Sequence, residues 1–178
     1  MPNHVENFVR LYPDAPTLAQ DKKVMSEIVK FLGLAKKDGA TFDVMQLCPY
    51  PAEWKAQDDD FNLVHRGKMT QSDFSSKWGS ETDAYNRGGM EWRIANWGTK
   101  WGAYSVSWDK KEKVARYETA WSPLKQSLFV ELSKRFPLVI ITLEYYECGM
   151  GYCGGYTVQN GEVDGVWECQ DYRGFRGG

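Results

Sequence analysis

The chain opens on a strict alternation. Val5, Asn7, Val9 and Leu11 fall on one side of an extended segment, and Glu6, Phe8, Arg10 and Tyr12 on the other, which predicts a strand over residues 5–11. Pro13 and Pro16 break it. Residues 17–34 then switch to three- and four-residue spacing, with Leu18, Val24, Met25, Ile28, Val29 and Leu32 apolar and lysines and acids between them. That is an amphipathic helix, and Gly33 is its stop signal. Residues 42–47 predict a second strand, closed by Pro49 and Pro51, since proline cannot donate to a ladder. Residues 52–91 keep no clear period and read as an irregular insertion, with a short helix at residues 71–78 and a turn at Gly88-Gly89. Residues 114–121 alternate again. Ser122-Pro123 has the chemistry of a helix start. Leu124, Leu128, Phe129, Leu132 and Phe136 supply that helix's stripe, and Pro137 ends it. Residues 138–146 are β-branched and aromatic, as a buried strand requires. Residues 152–159 and 162–168 form a hairpin across Asn160-Gly161. The tail, residues 172–178, is expected to fray.

The order is strand, helix, strand, insertion, strand, helix, strand, hairpin. It predicts an α+β fold, a ferredoxin-like split βαβ sandwich, spanning residues 1–178 as one domain. Two helices would cover one face of an antiparallel sheet. The other face would be open or covered by the insertion at residues 52–91.

Composition adds one unusual fact. Eight Trp, ten Tyr and eight Phe make 15% of the 178 residues. Such rings fill the core of a sheet-rich domain or line a recognition surface. The formal net charge of −2 comes without a basic run, which argues against a nucleic-acid partner. No apolar stretch reaches the roughly 18 residues of a membrane span. The first residues lack the pattern of a signal peptide, so a cytoplasmic location is expected.

Catalytic and metal chemistry find little support. Cys148, Cys153 and Cys169 are spaced C-x4-C-x15-C with no fourth ligand nearby, so no metal and no cofactor are expected. His4 and His65 are the only histidines, and a Cys48–His pair is a weak basis for nucleophilic catalysis. The glycine-rich residues 149–155 lie between two strands and open no helix, so they lack the geometry that holds phosphate. Glu144 and Glu147, three apart in a strand, point to opposite faces. Glu118 and Glu144 are candidates to face each other on neighbouring strands, with Lys100 or Arg116 as the cation between them. Asp58-Asp59-Asp60 reads as a solvated loop.

A stronger constellation is aromatic and polar: Asn96, Trp97, Thr99, Lys100, Trp101, Tyr104, Glu118 and Trp121. Flat apolar rings with a few directed polar groups make a ligand pocket or a protein-binding hot spot. The same residues also suit a structural corner, with Trp97 and Trp101 plugging the sheet edge and Lys100 paired to Glu118.

Four stretches together resemble a known family. They are residues 1–7 (MPNHVEN), 96–101 (NWGTKW), 118–123 (ETAWSP) and 143–147 (LEYYE) with Gly149. The combination resembles the YubB ferredoxin-like domain family of conjugative plasmids and phages. The resemblance implies a ferredoxin-like fold and a mobile-element origin in a bacterial host, and it carries no catalytic residues with it. The expected function is a non-enzymatic binding protein engaging a host protein, such as a defence component. The alternatives are a small-molecule or nucleotide binder with an aromatic-lined pocket, and a single-stranded nucleic-acid binder that stacks bases on sheet aromatics.

Overall fold

The computed structural model describes residues 3–79 and 89–177. The expected alternation of the first segment holds as β1, His4–Pro13. Its odd-numbered side chains, Val5, Asn7, Val9 and Leu11, are fully buried. Thr17 caps α1, Leu18–Leu32, by accepting a hydrogen bond from the Gln20 amide, and Gly33 closes it in the left-handed region at φ 74°. Four further helices and strands of the core follow an insertion: β2, Tyr104–Asp109; β3, Val114–Ala120; an α-helix at Gln126–Arg135; and β4, Val139–Glu147. The hairpin is β5, Tyr152–Gln159, and β6, Glu162–Cys169.

The six strands form one sheet in the order β2-β3-β1-β4-β5-β6, and every neighbouring pair is antiparallel. The first four strands follow the ferredoxin-like order, in which β3 lies between β1 and β2 and β1 lies between β3 and β4. The hairpin lengthens that sheet beyond β4. Ile28 and Leu32 of α1 and Leu128, Phe129 and Leu132 of the later helix share a buried cluster with Val9, Leu11, Tyr117, Ile141, Leu143 and Tyr156. Both helices therefore cover one face, as the split βαβ pattern predicts. At roughly 1.5–3 kcal/mol for each fully buried large apolar side chain, this cluster dominates the stability of the fold.

The structure overturns the strand expected at residues 42–47. A single 3-10 turn, Val44–Gln46, stands there instead. Phe42 and Val44 are buried, with the Phe42 ring 4.6 Å from that of Tyr117 and 6.0 Å from that of Phe129. Their alternation reflects plugging between helices and sheet. The backbone bonds locally, Asp43 to the Leu32 carbonyl and Gln46 to the Asp43 carbonyl, so no ladder forms. The second strand of the core is β2, beyond the insertion.

The insertion is helical in its described residues. It holds α2, Ala52–His65; α3, Gln71–Trp78 as expected; and α4, Gly89–Trp97. The helix at Gln126–Arg135 is accordingly α5. The Gly88-Gly89 turn lies in part outside the described residues, and Gly89 is the first residue of α4. Asp58-Asp59-Asp60 is also not a solvated loop. Asp58 accepts from the Tyr50 hydroxyl at 2.6 Å and pairs with Arg93 at 2.9 Å. Asp60 accepts from Lys77 at 2.6 Å and from the Trp78 indole at 2.8 Å. These bonds tie α2 to α4 and α3. Only tertiary partners distinguish them from a charge run.

The Lys77 and Trp78 bonds hold the Asp60 carboxyl below its ordinary value of 3.8. A carboxyl whose pKa is depressed by folding stabilises the fold above its unfolded value and loses that contribution as pH falls through the folded value. Protection of the α3 amides, corrected for intrinsic exchange, should therefore drop between about pH 5 and about pH 2. Asp60→Asn should show the lower protection already at the upper end of that range. A pH-independent α3 would refute the pairing.

Two further expectations are corrected. Ser122-Pro123 does not open α5, which starts at Gln126. Ser122 donates its hydroxyl to the Gly98 carbonyl instead, and the Lys125 amide bonds to the Trp97 carbonyl at 2.8 Å. The tail does not fray across its described residues. The Tyr172 amide bonds to the Gly151 carbonyl at 2.7 Å, the Cys148 thiol lies 2.9 Å from the Gly177 carbonyl, and the Arg176 guanidinium sits 4.9 Å from the rings of both Phe8 and Tyr146. Those two rings face away from the helices, so the tail lies on the helix-free side of the sheet. Among the described residues, no helix is long and apolar enough to cross a membrane.

Candidate functional site

The corner between α4 and β2 is built by buried polar contacts. Trp97 ends α4 and is 5% exposed. Its indole nitrogen donates to the Cys48 carbonyl at 2.9 Å, and its ring lies 5.6 Å from those of Tyr50 and Trp92. Gly98 turns the chain at φ 87°, where a side chain would meet the Lys125 stem at 2.8 Å and the Pro123 carbonyl at 3.1 Å. Thr99 is buried and donates to the Ala120 carbonyl at 2.6 Å. Asn96 donates to the Trp92 carbonyl within its own helix. Trp97 and Thr99 thus build the corner from buried positions, and Asn96, half-buried, spends an amide hydrogen within α4.

The other five predicted residues come together on the surface. Lys100 places its ammonium 5.1 Å from the Trp101 ring and 4.8 Å from the Trp121 ring. The Arg93 guanidinium holds the Lys100 carbonyl at 2.9 Å and pairs with Asp58, so the lysine backbone is anchored through α4 to α2. Trp101 and Trp121 are 40% and 44% exposed. Trp101 meets Tyr104 edge-on at 6.2 Å, and the two border a shallow hollow of about 370 Å³ with Gly102 and Ala103. Tyr104 stands opposite Glu118 in the β2–β3 register.

The pairing of Lys100 with Glu118 does not occur. Glu118 faces His4 at 3.8 Å, and His4 Nδ1 lies 2.5 Å from the Tyr104 hydroxyl. Burial first, and the Glu118 charge second, push the Tyr104 phenol above its ordinary value. His4 is the member of this group that the sequence reading missed. Alternation along β1 places it on the face of Phe8 and Arg10, but only the β2 pairing brings Tyr104 to it.

The carboxylate pair proposed from the sequence is not formed either. β1 separates β3 from β4, so Glu118 and Glu144 are not on neighbouring strands. Glu144 instead accepts from Arg10 at 2.6 Å, and this bond holds the Arg10 guanidinium above its ordinary value. Glu147 points to the opposite face, as its spacing requires, and is fully buried. Among the described residues, no three His, Cys, Asp or Glu side chains form a metal-binding group.

Trp121 has a further property. Its φ is +73°, a region that bulky residues rarely adopt and that costs roughly 1–2 kcal/mol. The Trp121 amide donates to the Asn3 carbonyl at 2.9 Å, and its carbonyl accepts from the Tyr152 hydroxyl at 2.7 Å. Those two bonds hold the backbone there and turn the indole towards Lys100.

A ferredoxin-like α+β fold with an exposed Trp–Lys–Trp cluster at one end of the sheet is the class these observations define. Residues 100–172 match the family model described as the ferredoxin-like domain in Api92-like protein. That match spans most of the strands and α5, and it bears out the fold read from the sequence. The family it names is Api92-like; the more particular YubB resemblance has no counterpart in it. A solved structure described as protein api92 from Yersinia pseudotuberculosis is similar at a TM-score of 0.44 and 10% identity, over 98% of this chain and 99% of that one. No curated protein matches the chain.

Proposed function

We propose that the chain is a non-enzymatic binding protein whose recognition surface is the Trp101–Lys100–Trp121 cluster. The observation that carries this reading is the strained Trp121. A backbone in a costly conformation that leaves a large apolar ring 44% exposed is the kind of strain found at functional sites. Tryptophan and tyrosine flanking a charge are also the composition of protein-binding hot spots. A protein partner suits the cluster better than a small molecule, because the hollow beside Trp101 is shallow and ligand sites are concave. The resemblance to plasmid- and phage-encoded proteins makes a bacterial host protein the partner of choice.

The test is affinity capture from a bacterial host lysate with the natural chain and with Trp121→Gly. Glycine tolerates positive φ, so the relieved strain offsets part of the lost ring contacts and this variant should still unfold cooperatively in urea. It should nonetheless lose a stoichiometric partner that the natural chain retains. Equal capture by both chains, or no partner with either, would refute the reading.

The His4–Tyr104–Glu118 group favours no second reading by itself. Its one hydrogen bond joins His4 to Tyr104, and Glu118 stands beside that pair at 3.8 Å.

A further inference from the structure

A second surface lies where β2 forms one edge of the sheet. The flank of α1 faces this edge through Lys22, Met25, Ser26, Val29 and Lys30, the i, i+3, i+4, i+7, i+8 spacing of one helical side. The core-facing side, with Ile28 and Leu32, is a different one. Between α1 and β2 runs a groove of about 600 Å³, within the roughly 300–1,000 Å³ of sites that hold ligands.

The groove has two chemistries. Met25, Val29 and Trp108 make an apolar floor and are half-buried against the core. The exposed Lys22, Lys30, Lys36 and Lys110 stand around it. None of these four has a carboxylate within 4 Å among the described residues. Four unpaired cations around one groove stand out on a chain whose formal net charge is −2.

The backbone supplies a third feature. Among the described residues, β2 pairs only with β3. A register shift between Tyr104 and Ser107 leaves Ser107, Trp108 and Asp109 as the regular part of the strand. Among the described residues, no backbone hydrogen bond reaches those three from the side away from β3. An unpaired edge is a template for one more strand.

We infer that the α1–β2 groove binds an extended acidic peptide segment of a partner protein, added as a seventh strand along β2. Strand addition gives main-chain hydrogen bonds, and alternate side chains then fall on alternate faces. One residue of the segment therefore drops an apolar side chain onto Met25, Val29 and Trp108. The residues two before and two after it face the same way and place carboxylates among the lysines. The recognised pattern is acidic, any, apolar, any, acidic. The site lies towards the opposite end of β2 from Tyr104, and it stands whether or not the tryptophan cluster binds a partner.

The chain's own β6 has a related composition. Glu162, Asp164 and Glu168 are interspersed there with Val163, Val166 and Trp167, which are 39%, 61% and 41% exposed. It lies at the far edge of the same sheet, so only a second copy could bring it to β2. A second copy is thus the competing occupant.

The probe is a fluorescein-labelled peptide, Glu-Ser-Leu-Ser-Glu-Ser, followed by anisotropy at low salt with the full chain. Binding should be saturable and weaken as salt is added. Three changes should each weaken it by roughly tenfold or more, the scale of a few ion pairs or hydrogen bonds. They are lysine in place of both glutamates, N-methylation of alternate amides, and the triple variant Lys30→Glu, Lys36→Glu, Lys110→Glu. These lysines are exposed, and an unchanged melting curve should show that the variant folds. No saturable binding would overturn the proposal. So would binding that survives N-methylation or charge reversal, or sedimentation showing the peptide displaced by self-association of the chain.

Discussion

Trp97→Ala should destabilise the protein by about 3–5 kcal/mol, as large-to-small truncation of a buried tryptophan does. The indole is 5% exposed and bonds to the Cys48 carbonyl, so the change leaves both a cavity and an unsatisfied acceptor. It also removes the ring that Tyr50 and Trp92 pack against, which joins the insertion to the core. Trp101→Ala, four residues on, should cost no more than about 1 kcal/mol, because its ring is 40% exposed and such positions tolerate change. Urea denaturation of the two variants separates them. The larger loss is a substantial share of a typical stability of about 5–15 kcal/mol. A loss above about 3 kcal/mol for Trp101→Ala, the range of core truncations, would remove Trp101 from the recognition surface and leave Lys100 and Trp121 to carry it.

Glu147→Ala should cost about 3 kcal/mol, from two lost hydrogen bonds to a charged group at roughly 1.5–3 kcal/mol each, partly offset by water entering the turn. Glu147 is fully buried at the end of β4. Its carboxylate accepts from the Gly149 amide at 2.9 Å and from the Met150 amide, which satisfies two donors of the turn into β5. A side chain at Gly149 would meet the Glu147 carboxylate at 2.8 Å, so glycine and glutamate are matched there. Glu147→Gln restores one acceptor and should fall between the natural chain and the alanine variant. A loss below about 1 kcal/mol for Glu147→Ala, the size of one ordinary hydrogen bond, would mean that the turn amides find other partners.

Three members of the exposed cluster are marked in the sequence for a simple reason. Trp101, Lys100 and Trp121 stand out by residue type, and the chain brings them together from either side of the β2–β3 hairpin. Residue type does not separate Trp97 from Trp101, because both flank glycine in one short segment. Their difference is the Cys48 carbonyl and the Tyr50 ring, which come from about fifty positions away. His4 was missed for a similar reason. Its partners Tyr104 and Glu118 lie on β2 and β3, a hundred or more residues along the chain.

By itself the sequence determined the elements whose pattern is local. The period of two in β1 and β3, the helical stripe and Gly33 stop of α1, the β-branched run of β4 and the Asn160-Gly161 turn each depend on neighbours within a few residues. Their order implied the ferredoxin-like sheet, but the segment placed second in it, residues 42–47, is a turn, and β2 takes that place. Tertiary structure alone decided the rest. Phe42 and Val44 alternate as a strand would, yet burial between helices and sheet outweighs any ladder they could join. Asp58 and Asp60 belong to a helix because Tyr50, Arg93, Lys77 and Trp78 neutralise them from other elements. The tail is ordered because Phe8 and Tyr146 offer Arg176 two ring faces. Each of these outcomes depends on groups distant in sequence, and a pattern read within a short window holds no information about them.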